Sequence, residues 1–125
     1  MSQLIKHDPF DISVKWSEDD IQMHIVQWLR RSDILFAADQ NAGRRSARDG
    51  ARRKMLGMAA GEPDLRIYLK SARTIFIELK TSRGRVSPAQ KDRIKGLNDL
   101  GFTAVVVAAS CPGAGLDQVK EILHG

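Results

Sequence analysis

The chain has 125 residues, of which 42% are hydrophobic and 28% charged, and its formal net charge is +5. This length suits one compact domain, and no apolar run approaches the ~20 residues that cross a bilayer. One cysteine and three scattered histidines exclude a disulfide framework and a cysteine-rich zinc site, so we expect a single cytoplasmic domain over residues 1–125 without a membrane partner.

The amino-terminal part of the chain predicts an arm, a helix, a strand and a second helical segment. Residues 1–16 show no periodicity, which indicates an arm with a short extended piece. Ser17 precedes three acidic residues, as an N-cap does, and apolar residues at helical spacing then predict an amphipathic helix over residues 18–31. The apolar run at residues 34–38 predicts a strand, and residues 44–60 predict a basic helical segment.

The remainder of the chain alternates strands and helices. Residues 64–69 and 74–80 alternate apolar and polar side chains and predict two strands joined by a short polar turn. Residues 87–101 predict a helix with a Ser-Pro start and a glycine cap, and residues 102–108 are apolar enough for a strand buried on both faces. Residues 116–123 predict a closing helix. This order predicts an α/β fold with a central mixed β-sheet flanked by helices.

One acidic side chain lies on the apolar stripe of the first predicted helix. At about 100° per residue, Glu18 falls in the middle of the stripe that contains Ile21 and Ile25. A carboxylate that faces a core must be neutralised, paired or bound to a cation. The alternative is that Glu18 stays at the rim of its helix and complements the helix dipole.

The two central strands show the same anomaly. Glu78 and Lys80 are two residues apart, so their side chains project to one face of the strand. A hairpin with a three-residue connection would place Asp64 opposite Glu78 or Lys80. Two carboxylates and an amine would then converge. The alternative is a Lys–Glu pair on a half-solvated strand, which contributes little.

Gln90 is the last member of this group of polar residues. It occupies the third position of the helix that Ser87 begins, which predicts a Ser/Gln capping box. Gln90 also lies on the stripe formed by Ile94 and Leu97, so it would point toward the sheet. The capping box alone and a further role at the sheet are both open.

Acidic side chains from three predicted elements suit a hard divalent cation. Glu18, Asp64 and Glu78 would offer oxygen ligands to Mg²⁺ or Mn²⁺, and water and a substrate phosphate would fill the other positions. Lys80 would orient the attacking water or stabilise negative charge. Together these groups describe phosphodiester hydrolysis.

Positive charge is concentrated in one short segment. Residues 44–54 hold six basic side chains against the single Asp49 and account for the whole net charge. This concentration favours a polyanionic partner, since arginine binds phosphate with two parallel hydrogen bonds; the alternative is a solvated helix face. The predicted nucleic-acid contacts are Arg44, Arg45, Arg48, Arg52, Arg53 and Lys54 in this segment, and Arg83, Arg85, Ser87 and Lys91 beside the predicted site.

Three motifs in this order carry a resemblance to a known family. They are Gly61-Glu62-Pro63-Asp64-Leu65, Phe76-Ile77-Glu78-Leu79-Lys80-Thr81 and Ser87-Pro88-Ala89-Gln90. The chain resembles the PD-(D/E)xK nuclease superfamily, and more narrowly the stand-alone VRR-NUC (virus-type replication-repair nuclease) domain. The resemblance implies a restriction-endonuclease-like α/β core. It also implies metal binding by Asp64, Glu78 and the Leu79 carbonyl with Glu18 in or near the metal shell, Lys80 as the catalytic lysine, and Gln90 as an active-site helper.

The resemblance also carries an expectation about substrate and assembly. Short members of this family resemble Holliday-junction resolvases, which implies a homodimer that acts on branched DNA. We therefore expect a Mg²⁺- or Mn²⁺-dependent endodeoxyribonuclease that is structure-selective and cleaves four-way junctions. The alternatives are a duplex nickase or non-specific endonuclease of the same fold, and a non-catalytic DNA-binding module.

Overall fold

The computed structural model describes residues 7–39 and 47–125. Eight elements follow one another in the predicted order of helices and strands. They are α1 (Glu18–Arg31), β1 (Phe36–Ala38), α2 (Ala47–Met55), β2 (Leu65–Tyr68), β3 (Thr74–Thr81), α3 (Pro88–Asp99), β4 (Thr103–Ala109) and α4 (Pro112–His124).

The four strands form one mixed sheet in the order β1-β2-β3-β4, which confirms the predicted fold class. The pairs β1–β2 and β2–β3 are antiparallel, whereas β3 and β4 are parallel. Tyr68 pairs with Thr74, so residues 69–73 make a five-residue connection rather than the predicted three-residue one. Since Leu65 pairs with Ile77, the same register continued by one residue places Asp64 opposite Glu78.

Helices α1 and α4 cover one face of the sheet. Ile21 and Ile25 of α1 are buried against Ile77 and Leu79 of β3 in one apolar cluster. Gly115 lets the two helices approach closely, because a Cβ there would lie 2.8 Å from Ile21 Cγ2. This apolar layer makes β3 a fixed platform for the side chains on its other face.

The other face of the sheet is only partly covered, by α3. Asn98 of α3 binds both the N–H and the carbonyl of Ala104, and no residue of α3 is buried. The prediction that β4 is buried on both faces is wrong: β4 is an edge strand of the described sheet, and Val106 is 38% exposed. An apolar run has the same pattern in a central strand and in a half-covered edge strand, which explains the error.

Residues 7–16 form turns and no strand, and the rest of the arm predicted to hold a short extended piece, residues 1–6, lies outside the described residues. The ring of Phe10 lies against Gly113 at the start of α4, where a Cβ would come within 2.6 Å of it, and Gly113 N–H donates to the Pro9 carbonyl at 2.8 Å. Within residues 7–39 and 47–125, no helix has the length and apolar character needed to cross a membrane.

Candidate active site

The loop before β2 is held against the start of α3 by a glycine. Gly61 has a φ of +78°, and a Cβ at this position would lie 2.5 Å from the Ala89 carbonyl oxygen. Glu62 adds an ion pair to Arg93 of α3 at 2.7 Å. The loop therefore presents Asp64 at a defined position beside α3.

Asp64 binds β3 where the strand ladder cannot continue. Its Oδ2 accepts a hydrogen bond from the Leu79 N–H at 2.8 Å. The β2–β3 register continued by two residues places Pro63 opposite Leu79, and proline has no N–H to donate to the Leu79 carbonyl. The Asp64 carboxylate and the Leu79 carbonyl therefore lie on the same side of β3, beyond the point where β2 and β3 stop pairing. The metal-binding prediction needs these two groups on one side of the strand.

Glu78 lies at the centre of the site and is only 2% exposed. Its Oε2 accepts from Gln90 Nε2 at 3.0 Å and lies 3.5 Å from Lys80 Nζ. Its Oε1 is buried and accepts no hydrogen bond. A buried carboxylate oxygen that accepts no hydrogen bond is costly while the group is charged, and the neighbouring described group that can share a proton with Glu78 is another acid, Asp64.

The side-chain amide of Gln90 takes part both in the cap of α3 and in a contact with Glu78. Both roles that the sequence left open, the capping box and a further role at the sheet, are therefore present. Its Oε1 accepts from the Ser87 N–H at 2.9 Å while Ser87 Oγ accepts from the Gln90 N–H at 3.1 Å, which is the predicted capping box. Its Nε2 donates to Glu78. The capping box holds the amide in the orientation that supports Glu78.

Burial destabilises the charged forms of the Asp64 and Glu78 carboxyl groups. Burial, followed by the charge of Asp64, raises the pKa of Glu78 to about 7. Burial also raises the pKa of Asp64, although the Leu79 N–H and Lys80 partly offset that rise. The pair therefore binds a proton more readily than ordinary carboxylates do, even with the Lys80 ammonium group beside it.

The donor set fits a divalent cation that retains several water ligands. Glu78 Oε1 needs a partner, and Asp64 and the Leu79 carbonyl supply further oxygens at the same edge. Across residues 7–39 and 47–125, no group of three or more His, Cys, Asp or Glu side chains is arranged to hold a metal. The Asp64 and Glu78 carboxylates and the Leu79 carbonyl would then supply the ligands at this edge.

Glu18 lies near the site but apart from the carboxylate pair. It is exposed in the first turn of α1, which matches the rim position that the sequence left as an alternative. A Cβ at Gly84 would lie 3.5 Å from Glu18 Oε2 and 3.3 Å from Lys80 Cδ, so both side chains flank this glycine. Its role as a metal ligand stays a prediction.

The predicted nucleic-acid contacts are only partly described by the structure. Arg44, Arg45 and the side chain of Arg48 lie outside the described residues. Arg53 Nε contacts Met58 Sδ at 3.1 Å. The exposed members are Arg52, Lys54, Arg83, Arg85, Ser87 and Lys91. The Oγ of Ser87 already caps α3, so this hydroxyl oxygen has a structural role of its own.

One acidic residue near the site was missed by the sequence analysis. Asp39 follows β1, its N–H donates to the Asp64 carbonyl at 2.9 Å, and its charge contributes to the raised pKa of Asp64. The available signal was an acidic residue directly after a short apolar strand. The contact itself depends on the β1–β2 pairing, which the sequence pattern does not reveal.

Comparisons with known proteins show the family and the fold of the chain. A family model described as the VRR-NUC domain matches residues 9–110. A solved structure titled "VRR_NUC domain protein" is 26% identical, has a TM-score of 0.65, and aligns over 87% of this chain and 89% of its own. Another, titled "VRR_NUC domain", is 18% identical with a TM-score of 0.57 over 86% of this chain and 94% of its own, and shows the fold alone. No curated protein matches the chain.

Proposed function

This chain belongs to the VRR-NUC domain family, a nuclease family, and from that premise we propose that it is a metal-dependent DNA endonuclease whose centre comprises Asp64, Glu78 and Lys80. We further propose that it acts on branched DNA, four-way junctions above all, and works as a homodimer. Symmetric cutting of a four-way junction requires two sites related by a two-fold axis, which a homodimer supplies.

One observation carries the proposal: the buried Glu78 carboxylate has an oxygen that accepts no hydrogen bond from the described residues, and a second carboxylate, Asp64, lies beside it. A structural ion pair would satisfy this oxygen with a protein donor, because an unpartnered buried charge is strongly destabilising. Lys80 instead contacts the other oxygen, Oε2, which Gln90 already binds. This arrangement supports a cation-binding role over a purely structural one.

The chain's own groups have distinct tasks in the proposed reaction. Asp64 is oriented by the Leu79 N–H, and Glu78 is oriented by Gln90, so both carboxylates present their remaining oxygens to one place. Lys80, which is 8% exposed, keeps its ammonium group beside that place, where it would orient a water and stabilise charge on a phosphate oxygen. Mg²⁺ or Mn²⁺ would be held by Asp64, Glu78 and the Leu79 carbonyl, and it would supply activation of a water and stabilisation of negative charge on the phosphate.

A cleavage panel tests the proposal. Labelled four-way junctions, flaps, nicked and linear duplexes are incubated with the protein in Mn²⁺, in Mg²⁺ and in EDTA. We expect cutting in either cation and none in EDTA, with branched substrates cut faster than linear duplex. Equal rates on all substrates would instead indicate a duplex nickase or non-specific endonuclease of the same fold.

Matched variants locate the centre. Asp64→Ala, Glu78→Ala and Lys80→Ala should each reduce cleavage by at least about a hundredfold while DNA binding persists. Glu121→Ala removes an exposed acid on α4 and serves as the control. Cleavage retained in any of the three site variants would show that the centre is misassigned, and a wild-type protein that binds but never cuts would indicate a DNA-binding module.

A further inference from the structure

A groove runs beside the proposed centre and is not used by it. Residues 12–16 form one wall, residues 81–83 form the other, and Ser110 closes it at the end of β4. Its volume is about 450 Å³. The groove lies next to the proposed centre, because residues 81–83 directly follow Lys80 in the chain and a Cβ at the adjoining Gly84 would lie 3.3 Å from Lys80 Cδ.

The walls of the groove are cationic and rich in hydroxyl groups. Lys15 and Ser13 belong to one wall, and Arg83 and Ser82 belong to the other. Ser110 adds a third hydroxyl group at the end of the groove. Among the described residues that line the groove, none is acidic. Lysine, arginine and serine side chains are the groups that most often contact phosphate and sugar oxygens in protein–DNA complexes.

Both walls are held in place by contacts within the protein. The indole N–H of Trp16 donates to the Asp11 carbonyl at 2.7 Å, and the Asp11 carboxylate accepts from both the N–H and the hydroxyl of Ser13. On the other wall, the Gly84 N–H donates to the Thr81 carbonyl at 2.9 Å and closes a tight turn that presents Arg83. The groove is therefore preformed, which lowers the entropic cost of binding a strand.

We propose that this groove binds the sugar–phosphate backbone of the DNA strand that enters the active site, with Lys15 and Arg83 contacting its phosphates from opposite walls. The inference rests on the proposed nuclease function and assigns to the amino-terminal arm a substrate-binding task. Trp16 offers a flat, half-buried ring for contact with a sugar or a base. Recognition here is of the backbone and does not depend on base sequence.

The test is a binding measurement that needs no hydrolysis. Fluorescence anisotropy of a labelled four-way junction and a labelled duplex is recorded in EDTA over a range of salt concentrations. Lys15→Ala and Arg83→Ala should each weaken binding by about three- to tenfold and lower the slope of log affinity against log salt by about 0.9. Lys70→Ala removes an exposed lysine from the β2–β3 connection, at the opposite end of β3, and should bind as wild type does.

A second readout reports on the groove itself. The chain has two tryptophans, so Trp28→Phe leaves Trp16 as the only indole. Saturating DNA should change the emission of Trp16 in this variant, and adding Lys15→Ala should shift the midpoint of that change to higher DNA concentration. An emission that stays constant at saturation, or Lys15→Ala and Arg83→Ala binding that matches Lys70→Ala, would overturn the inference.

The outcome is separable from that of the proposed function. If the wild-type protein binds DNA with the expected losses in Lys15→Ala and Arg83→Ala but cuts nothing, the nuclease proposal fails and the groove assignment stands. If Glu78→Ala abolishes cutting while Lys15→Ala and Arg83→Ala bind normally, the groove assignment alone fails. If the wild-type protein binds no DNA, both fail.

Discussion

The protein without bound cation should lose stability as the pH rises through 7. The pKa of Glu78 is raised from its ordinary value of 4.5 to about 7, first by burial and then by the charge of Asp64. The folded state therefore holds this proton more tightly than the unfolded chain does. The resulting stability is fully present below pH 4.5 and is lost as the pH rises through 7.

The size of the effect follows from the two pKa values. The difference between 4.5 and about 7 corresponds to about 3–4 kcal/mol, at about 1.4 kcal/mol for each pH unit, and most of the loss falls between pH 5 and 8. This is a large part of the unfolding free energy of a typical domain, which is about 5–15 kcal/mol. Glu78→Gln keeps the shape of the side chain and removes its titration.

Urea unfolding in EDTA between pH 5 and 8 measures the effect. EDTA is needed because a bound cation would itself stabilise the folded state. The unfolding free energy of wild type minus that of Glu78→Gln should decrease as the pH rises. This difference cancels the contributions of groups that do not interact with Glu78, such as His24, whose pKa is lowered by burial; it reports on the coupled pair of Glu78 and Asp64. Glu121→Gln, at an exposed position, should follow the wild-type profile. Parallel profiles for wild type and Glu78→Gln would refute the reasoning.

Two further predictions concern the supports of the site. Gly61→Ala should destabilise the protein by about 2–4 kcal/mol, because it combines a positive φ with a Cβ 2.5 Å from the Ala89 carbonyl oxygen. Gly50→Ala in α2 is the control, since a Cβ there meets open space and should not destabilise the protein. Thermal unfolding compares the two variants, and equal midpoints would contradict the packing argument. Ser87→Ala should cost about 1 kcal/mol through loss of the α3 cap, and it keeps the backbone N–H that orients the Gln90 amide. Gln90→Ala should in addition lose the contact with Glu78, so it should lower the cleavage rate more than Ser87→Ala does. Equal cleavage by the two variants would mean that the contact between Gln90 and Glu78 is only structural.

Local sequence patterns were enough to predict the order of helices and strands and one part of the candidate site, the convergence of Asp64 with Glu78. Helix caps at Ser17 and Ser87 and the alternation in β3 have causes within a few residues, so the sequence reveals them. The convergence of Asp64 with Glu78 follows from the same alternation once β2 and β3 pair. The sequence did not determine the β2–β3 register, because the connection has positive φ values at Ser71 and Ala72. These residue types do not predict a turn with left-handed backbone conformations.

Non-local contacts account for what the sequence did not predict. The exposure of Val106 depends on β4 being an edge strand with α3 covering only part of its face. The position of Glu18 depends on how deeply the first turn of α1 enters the fold, which helical periodicity does not report. The preformed groove depends on the docking of Phe10 against Gly113, two residues more than one hundred positions apart.

The proline that precedes Asp64 also bears on how the protein keeps its reaction centre accessible. An ordinary residue at position 63 could donate its amide hydrogen across to Leu79 and close the seam between the two strands. With a buried proline there, the Leu79 carbonyl receives no hydrogen bond from this position, whatever the thermal motion of the loop, and the Leu79 N–H is taken by Asp64. The opening is thus a property of the covalent backbone, and it persists without any energy being spent on holding two hydrogen-bonding strands apart.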